Sequence, residues 1–452
     1  MSRIWSRLSR LVAVAVVVSG TGLIGAFAVA RPAVAAVAIQ RVTQDGIEAW
    51  LVEEHSNPLI AVSLAFRGGA VLDPAGKEGL ATLAMSLLDE GAGPYKAEAF
   101  KRRLEDLSIR LSFDADADSL NAGMLTLSQH RQDAFELLRM ALSEPRFDAD
   151  AIARVKSQLQ AGLRQDAEDP DTVASRRLFA EMFPDSPYGR PTDGTPETIG
   201  RLAAGDLRSF VHQRLARGNL VIAVVGDITP DALATLLRST FGALPATPAP
   251  AHIATVPARA DGSVTVIDMK VPQSSVVFGQ QGILRDDPRF YAATVLNEIL
   301  GGGGLTSVLF DEVREQRGLV YSVYSALAPY DHAALWMGGA GTRNERVAET
   351  VEVIRSVWRQ VAENGVQPQQ VADAKTYLTG SFPLRFTSSQ RLARLLVATQ
   401  LENLGIDYLD RRNSLIEAVS VDDVNHLAHE LLKPDSLRFV VVGQPRDLKS
   451  TR

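Results

Sequence analysis

Three side chains occupy positions from which a helix could present metal ligands together. In the run GLATLAMSLLDE at 79–90, Thr82, Met85 and Ser86 stand at i, i+3 and i+4, so a helix would place them on one face. Zinc is bound by imidazole, thiolate or carboxylate groups at about 2.0–2.3 Å, and hydroxyls and a thioether are poor substitutes. The spacing suits a metal site but the donors are missing, so we expect no metal to bind there.

A second run, REQRGLVYSVY at 314–324, contains two hydrogen-bond donors suited to catalysis. The guanidinium of Arg314 and the phenol of Tyr321 can both donate to a developing oxyanion. Each also has an ordinary structural explanation, Arg314 as a solvated helix residue beside acidic neighbours and Tyr321 as a strand aromatic. The four glycines at 301–304 lack the Lys-Ser/Thr of a phosphate-binding loop, so we expect a helix end and a flexible loop there.

The elements that position these residues come from a duplicated chain. NLVIAVVGD at 219–227 and SLRFVVVG at 436–443 are apolar, β-branched runs of the kind found in central strands, and an amphipathic stretch precedes each. A repeat of this length indicates duplicated domains. The Pro/Ala-rich segment 244–262 is predicted to be an extended linker. The sequence therefore predicts an α+β fold with tandem α/β sandwich domains at 38–243 and 263–448.

Both functional runs resemble those of the pitrilysin/insulinase-type metallopeptidases, including the mitochondrial-processing-peptidase-like group. In that family Gly-Leu-Ala is followed by H-x-x-E-H, in which both His bind zinc and the Glu is the general base. Thr82, Met85 and Ser86 stand at those positions here, and a further Glu ligand falls on Ala161 or Gly162. The resemblance covers nearly all of the chain after residue 35. It implies two homologous halves that close like a clamshell, with no zinc bound by this chain.

The same resemblance implies a role for Arg314 and Tyr321. In the family, an Arg and a Tyr seven residues later face the zinc site across the cavity, hold the substrate carbonyl and help to stabilise the tetrahedral intermediate. In two-chain members, one subunit carries the zinc motif and the other carries the Arg–Tyr pair, and each is inactive alone. We therefore expect a zinc-less subunit whose partner is a homologue that bears H-x-x-E-H and holds the zinc, and whose substrate is an extended peptide.

Two other functions remain open on the sequence. One is a structural or chaperone-like scaffold, similar to the core subunits of respiratory complexes. The other is an autonomous metallopeptidase, which would require metal ligands that we do not find. Retention of Arg314 and Tyr321 favours the peptidase subunit over the scaffold, because a scaffold has no need of this pair.

Composition and the first 35 residues bear on location. The chain has 452 residues and no cysteine, which excludes disulfides and thiolate metal sites. Its formal net charge of -6 argues against nucleic acid or an anionic membrane surface as partner. Arg3, Arg7 and Arg10 precede an apolar stretch, and Ala33 and Ala35 fit a cleavage site, so 1–35 is predicted to be a signal peptide. The chain is then periplasmic or secreted. The alternative is an uncleaved N-terminal anchor, since about 20 apolar residues could span a bilayer.

Overall fold

Two β-sheets form the framework of the molecule. A computed structural model describes residues 37–451, so the predicted signal peptide lies outside the described residues. The strands of the first half are β1 (Gln40–Gln44), β2 (Ile47–Glu53), β3 (Leu59–Arg67), β4 (Gly91–Ala92), β5 (Tyr95–Lys96), β6 (Arg110–Ala115), β7 (Ser119–Leu127) and β8 (Leu220–Gly226). Those of the second half are β9 (Val264–Asp268), β10 (Gln273–Gln281), β11 (Val320–Pro329), β12 (Ala334–Arg343) and β13 (Arg438–Gly443).

Helices surround both sheets. In the first half they are α1 (Leu80–Met85), α2 (Ala97–Asp106), α3 (Arg131–Ser143), α4 (Ala149–Asp166), α5 (Pro170–Met182), α6 (Pro196–Arg201), α7 (Ala204–Arg214) and α8 (Pro230–Phe241). In the second half they are α9 (Phe290–Asn297), α10 (Val308–Phe310), α11 (Val347–Asn364), α12 (Pro368–Gly380), α13 (Ser389–Leu401), α14 (Tyr408–Glu417) and α15 (Val421–Leu431). Within the described range, none of these helices is both long and apolar enough to cross a membrane.

The sheet topology shows the duplication directly. The first sheet has the strand order β1-β2-β8-β3-β7-β6, and the second has the order β11-β12-β10-β13-β9. The repeated runs form β8 and β13, and each pairs parallel with one neighbour and antiparallel with the other. The predicted α+β fold with two similar halves is confirmed. Segment 244–262 forms neither helix nor strand, and the domain boundaries at 38–243 and 263–448 stay predictions.

One helix from each half packs against the sheet of the other half. The apolar side of α5, including Leu178 and Met182, packs on Val277 and Val440 of the second sheet. In return α13 packs on β3 and β8 of the first sheet. Each sheet is thus covered on one face by helices of its own half and on the other face by a helix from the opposite half.

Polar contacts reinforce this exchange. Arg67, at the end of β3, donates hydrogen bonds to the carbonyl oxygens of Gln400 and Leu401 at 2.5 Å and to Asn403 Oδ1 at 2.9 Å. These carbonyls lie at the C-terminus of α13, where a helix has no internal donors left and favours a positive charge. An arginine of the first half therefore caps the helix that the second half contributes.

Candidate functional site

Helix α1 carries the three positions at which zinc ligands would stand. Its first turn begins after Gly79, whose φ of 87° lies in the left-handed region. A Cβ at that position would lie 2.6 Å from the carbonyl oxygen of Asp193, so glycine is required. The Ala81 amide donates to both carboxylate oxygens of Asp73, at 3.2 and 3.1 Å. The helix ends at Met85, and Ser86 forms its C-cap.

The four positions that the family resemblance assigns to the metal site differ in burial, and only Met85 lies in the core. Met85 is 1% exposed and belongs to the core cluster of the first half. The Thr82 hydroxyl is shielded from solvent and has no hydrogen-bond partner. Ala161 is exposed on α4, which contacts α1. Among residues 37–451, no group of three or more His, Asp or Glu side chains could hold a metal ion.

Buried charges stabilise the start of α1. Asp73 is 3% exposed, and burial raises the pKa of its carboxyl to about 6, against the opposing influence of backbone amides and the Arg214 guanidinium. Arg214 donates to the carbonyl oxygens of Gly68 and Gly69, and burial lowers the pKa of its guanidinium. Asp73 and Arg214 fix the loop that enters α1, and neither supplies a missing zinc ligand.

Arg314 and Tyr321 are brought together on the second half. Arg314 belongs to a π-helical turn (Asp311–Glu315), and its guanidinium carbon lies 5.8 Å from the Tyr321 ring centroid and 4.9 Å from that of Phe310. Its guanidinium also donates to the Glu315 carboxylate. Tyr321 is 82% exposed. The pair forms one cation–aromatic unit, in which Tyr321 is exposed and Arg314 is half-buried and paired with Glu315.

The strand that bears Tyr321 lies at the edge of its sheet. In the described chain β11 pairs with β12 alone, and the register shifts between Val320 and Val323, beside Tyr321. An edge strand carries unpaired N–H and C=O groups that can hydrogen-bond an added strand. The side of β11 that faces away from β12 is therefore a possible position for an extended peptide.

The glycine run supports this strand. Residues Glu298–Gly302 continue α9 as a π-helical turn, and Gly304–Thr306 form a 3-10 turn, so the expected helix end is present and the predicted loop is largely helical. A Cβ on Gly301 would lie 2.5 Å from the Ser325 amide nitrogen. Glycine at this position therefore allows the helix end to approach β11 closely.

Exposed hydrophobic side chains are concentrated in the second half. The large hydrophobic residues that stand out as exposed in the described chain are Leu305, Tyr321, Tyr324, Tyr377 and Leu384. All fall between 305 and 384. Exposed apolar side chains that share one region are typical of surfaces that contact another molecule.

A separate cavity of about 950 Å³ lies between the halves. Within its lining, Tyr188 donates to Asp118 at 2.6 Å, and the Asp331 amide donates to the same carboxylate at 3.0 Å. Burial raises the pKa values of Asp118, Asp331 and Glu402. The residues that line this cavity do not include Thr82, Arg314 or Tyr321. Arg314 and Tyr321 are thus separate from this cavity.

Phe310 and Asp73 are residues of these regions that sequence reasoning missed. Phe310 stands four residues before Arg314, a helical spacing that places the two side chains together and could have been recognised. No sequence spacing pointed to Asp73, because its role in fixing the loop that enters α1 depends on its burial in the folded chain.

Comparison with known proteins places the chain in a family. The peptidase M16 inactive domain profile matches residues 201–378. A protein of Mycobacterium bovis, named an uncharacterized zinc protease, is 30% identical over 303 residues, covering 66% of this chain and 69% of that protein. The chain belongs to the peptidase M16 family. The resemblance to pitrilysin/insulinase-type peptidases is thereby confirmed.

Two further M16 relatives are described as inactive. A crystal structure of a peptidase M16 inactive domain from Pseudomonas fluorescens is 30% identical with a TM-score of 0.85, covering 91% of this chain and 99% of that one. A Helicobacter pylori protein named a non-peptidase homolog is 27% identical over 412 residues, covering 90% of this chain and 94% of that protein. The assignment of zinc-ligand positions to Thr82, Met85 and Ser86 stays a prediction from the family resemblance. The chain is an inactive-type M16 homologue.

Proposed function

We propose that this chain is the zinc-less subunit of a heteromeric, periplasmic M16 metallopeptidase. It would supply Arg314 and Tyr321 to a zinc site held by a homologous partner that bears H-x-x-E-H. The observation that carries this proposal is the contact between Arg314 and Tyr321, which is 82% exposed on an edge strand, in a chain whose own Met85 position is buried in the core.

The chemistry of the pair suits this role. An extended peptide added along β11 would pass Tyr321 and the neighbouring Arg314, whose phenol and guanidinium can donate to its scissile carbonyl. As that oxygen becomes negative in the tetrahedral intermediate, both hydrogen bonds strengthen, which lowers the barrier. Zinc on the partner would supply the activated water.

The orientation of the pair supports a separate subunit as the zinc carrier. Arg314 contacts Phe310, Glu315 and Tyr321, all from its own half. The internal cavity between the halves lies elsewhere. A partner that covers β11 would also cover part of the exposed hydrophobic side chains between 305 and 384.

The test is affinity purification of the tagged chain from its native envelope, followed by mass spectrometry. We expect an equimolar homologue with an intact H-x-x-E-H motif. Recovery of the chain alone, or only with unrelated envelope proteins, would contradict the proposal and favour the scaffold. Zinc analysis of the isolated chain provides a second measurement, because stoichiometric zinc would revive the autonomous metallopeptidase.

A further inference from the structure

A groove in the first half combines apolar walls with polar groups that lack partners. It has a volume of about 480 Å³ and lies between the end of α3, one side of α7 and residues 243–245. Its lining is apolar except for Ser143, Arg208 and His212. Ligand pockets typically combine this size with mostly apolar walls and a few polar groups. We call it the α3–α7 groove.

The groove-lining residues of α7 and of the position just after it lie on one face of the helix. Arg208, Val211, His212 and Leu215 stand at i, i+3, i+4 and i+7, and all four line the groove. Within residues 37–451, the side chains of Arg208 and His212 make no hydrogen bond, ion pair or ring contact, and both are exposed to solvent. Two basic side chains one turn apart therefore keep their donors free beside two apolar ones.

The opposite wall contains two energetically unfavourable features. The Ser143 hydroxyl is shielded from solvent and has no hydrogen-bond partner, which leaves a buried donor unsatisfied. Phe147 is 4% exposed and has a φ of 51°, a left-handed conformation that bulky residues seldom adopt. Such strain tends to occur where a binding surface requires it. Both residues line the groove.

We propose that the α3–α7 groove binds a small carboxylate that carries an apolar group. The Arg208 guanidinium suits the planar, two-oxygen geometry of a carboxylate, and His212 adds a donor one turn away. The Ser143 hydroxyl, which is shielded from solvent in the unliganded chain, gains an acceptor by rotating toward the bound carboxylate. The accessible apolar surface of Val211, Ala243 and Pro245 accommodates the apolar group. The site is independent of the Arg314–Tyr321 unit, so it stands whether or not the peptidase role is correct.

Calorimetric titration of the purified full chain tests the carboxylate and the apolar group separately. We expect octanoate to bind at least ten times more tightly than acetate, which lacks the apolar group, or octylamine, which carries the opposite charge. Acetyl-Leu-Leu with a free carboxylate, compared with its amide, distinguishes a peptide C-terminus from a free acid as the natural source. Failure of both octanoate and the free dipeptide to bind, or equal binding of octanoate and octylamine, would overturn the proposal.

Variants locate the binding. Arg208→Ala should weaken octanoate binding at least tenfold, whereas Arg164→Ala, which removes an exposed arginine on α4, should leave it unchanged. Ser143→Ala should increase stability but decrease octanoate affinity. It should raise the melting temperature, because it removes an unsatisfied hydroxyl, and weaken octanoate binding severalfold, because it removes a donor to the carboxylate. Equal affinities in all three variants would place the ligand outside the groove.

Discussion

The region of helix α1 and the region of Arg314 and strand β11 contain the two sets of residues expected to take part in chemistry, and they differ in burial. Met85 on α1 is 1% exposed, and Asp73 in the loop that enters α1 is 3% exposed, so this region is part of the fold. On β11, Tyr321 is 82% exposed and contributes little to packing. A buried region can lose its chemistry and still be required for stability. An exposed pair is better explained by a molecule that contacts it, because burial does not account for it.

The largest expected effect comes from rebuilding the zinc motif in the buried region. Met85→Glu would place a carboxylate in the core, and the penalty for burying that charge is about 4 kcal/mol or more in the free energy of unfolding. Thr82→His or Ser86→His should cost less, because both side chains are only half-buried. Chemical denaturation measures these differences. The triple variant should show no peptidase activity alone, because the later Glu ligand is also missing. A Met85→Glu variant as stable as the wild type would contradict the burial of Met85.

The buried carboxyl of Asp73 should make stability depend on pH. Its pKa is raised to about 6 in the folded state, above about 3.9 in the unfolded chain. The folded state therefore binds the proton on Asp73 more tightly than the unfolded state does. The resulting stabilisation of the folded state is complete below pH 4 and is lost as pH rises through 6. The expected loss is about 3 kcal/mol.

Asp73→Asn, which stays neutral, tests this expectation. Urea denaturation at pH 4 to 8 should show a flatter profile for this variant than for the wild type. Asp185→Asn, at a surface carboxylate that is 81% exposed, serves as the control. Parallel profiles for Asp73→Asn and the wild type would show that Asp73 is ionised throughout, paired with Arg214.

The exposed pair should affect activity and leave stability unchanged. Arg314→Ala or Tyr321→Phe in the reconstituted complex is expected to lower kcat/KM about 100-fold, equivalent to about 2.7 kcal/mol, the scale for loss of one oxyanion donor. Arg317→Ala is a matched control three residues away, because Arg317 pairs with Glu312. Unchanged peptidase rates in both Arg314→Ala and Tyr321→Phe would exclude their role at the partner's zinc site.

The smallest effect concerns the Thr82 hydroxyl. Since this group is buried without a partner, Thr82→Val should raise the free energy of unfolding by roughly 1 kcal/mol. Thr399→Val is the matched helical control, because the Thr399 hydroxyl donates to the Leu395 carbonyl at 2.7 Å. That variant loses a hydrogen bond and should not be stabilised. Destabilisation by Thr82→Val would indicate that the hydroxyl has a partner in solution.

Local sequence patterns predicted much of the fold. The β-branched runs before Gly226 and Gly443 are strands with equivalent sheet neighbours, as expected. The Pro/Ala-rich segment 244–262 contains no helix or strand. The exchange of α5 and α13 could not be predicted. An amphipathic pattern shows that a helix buries one face, but it does not show which sheet covers that face.

The candidate site was predictable to a similar degree. Spacing placed Thr82 and Ser86 one turn apart, and the Ser86 amide does donate to the Thr82 carbonyl at 3.0 Å. Spacing did not show that Met85 lies in the core. The approach of Arg314 to Tyr321 was expected only through the family resemblance, because their contact depends on the turn between a helical segment and β11.

The reciprocal packing of α5 and α13 constrains the order in which the protein can be synthesised and folded. Multidomain chains commonly complete their N-terminal domain while later residues are still being translated. Here the outer face of the first sheet is covered by α13, which leaves the ribosome long after β8. Until then, Trp50, Ala223 and Val225 lack the apolar cover that α13 provides. The N-terminal half therefore cannot bury this face of its sheet until the C-terminal half has been synthesised. During that interval the exposed apolar face of the nascent chain needs protection.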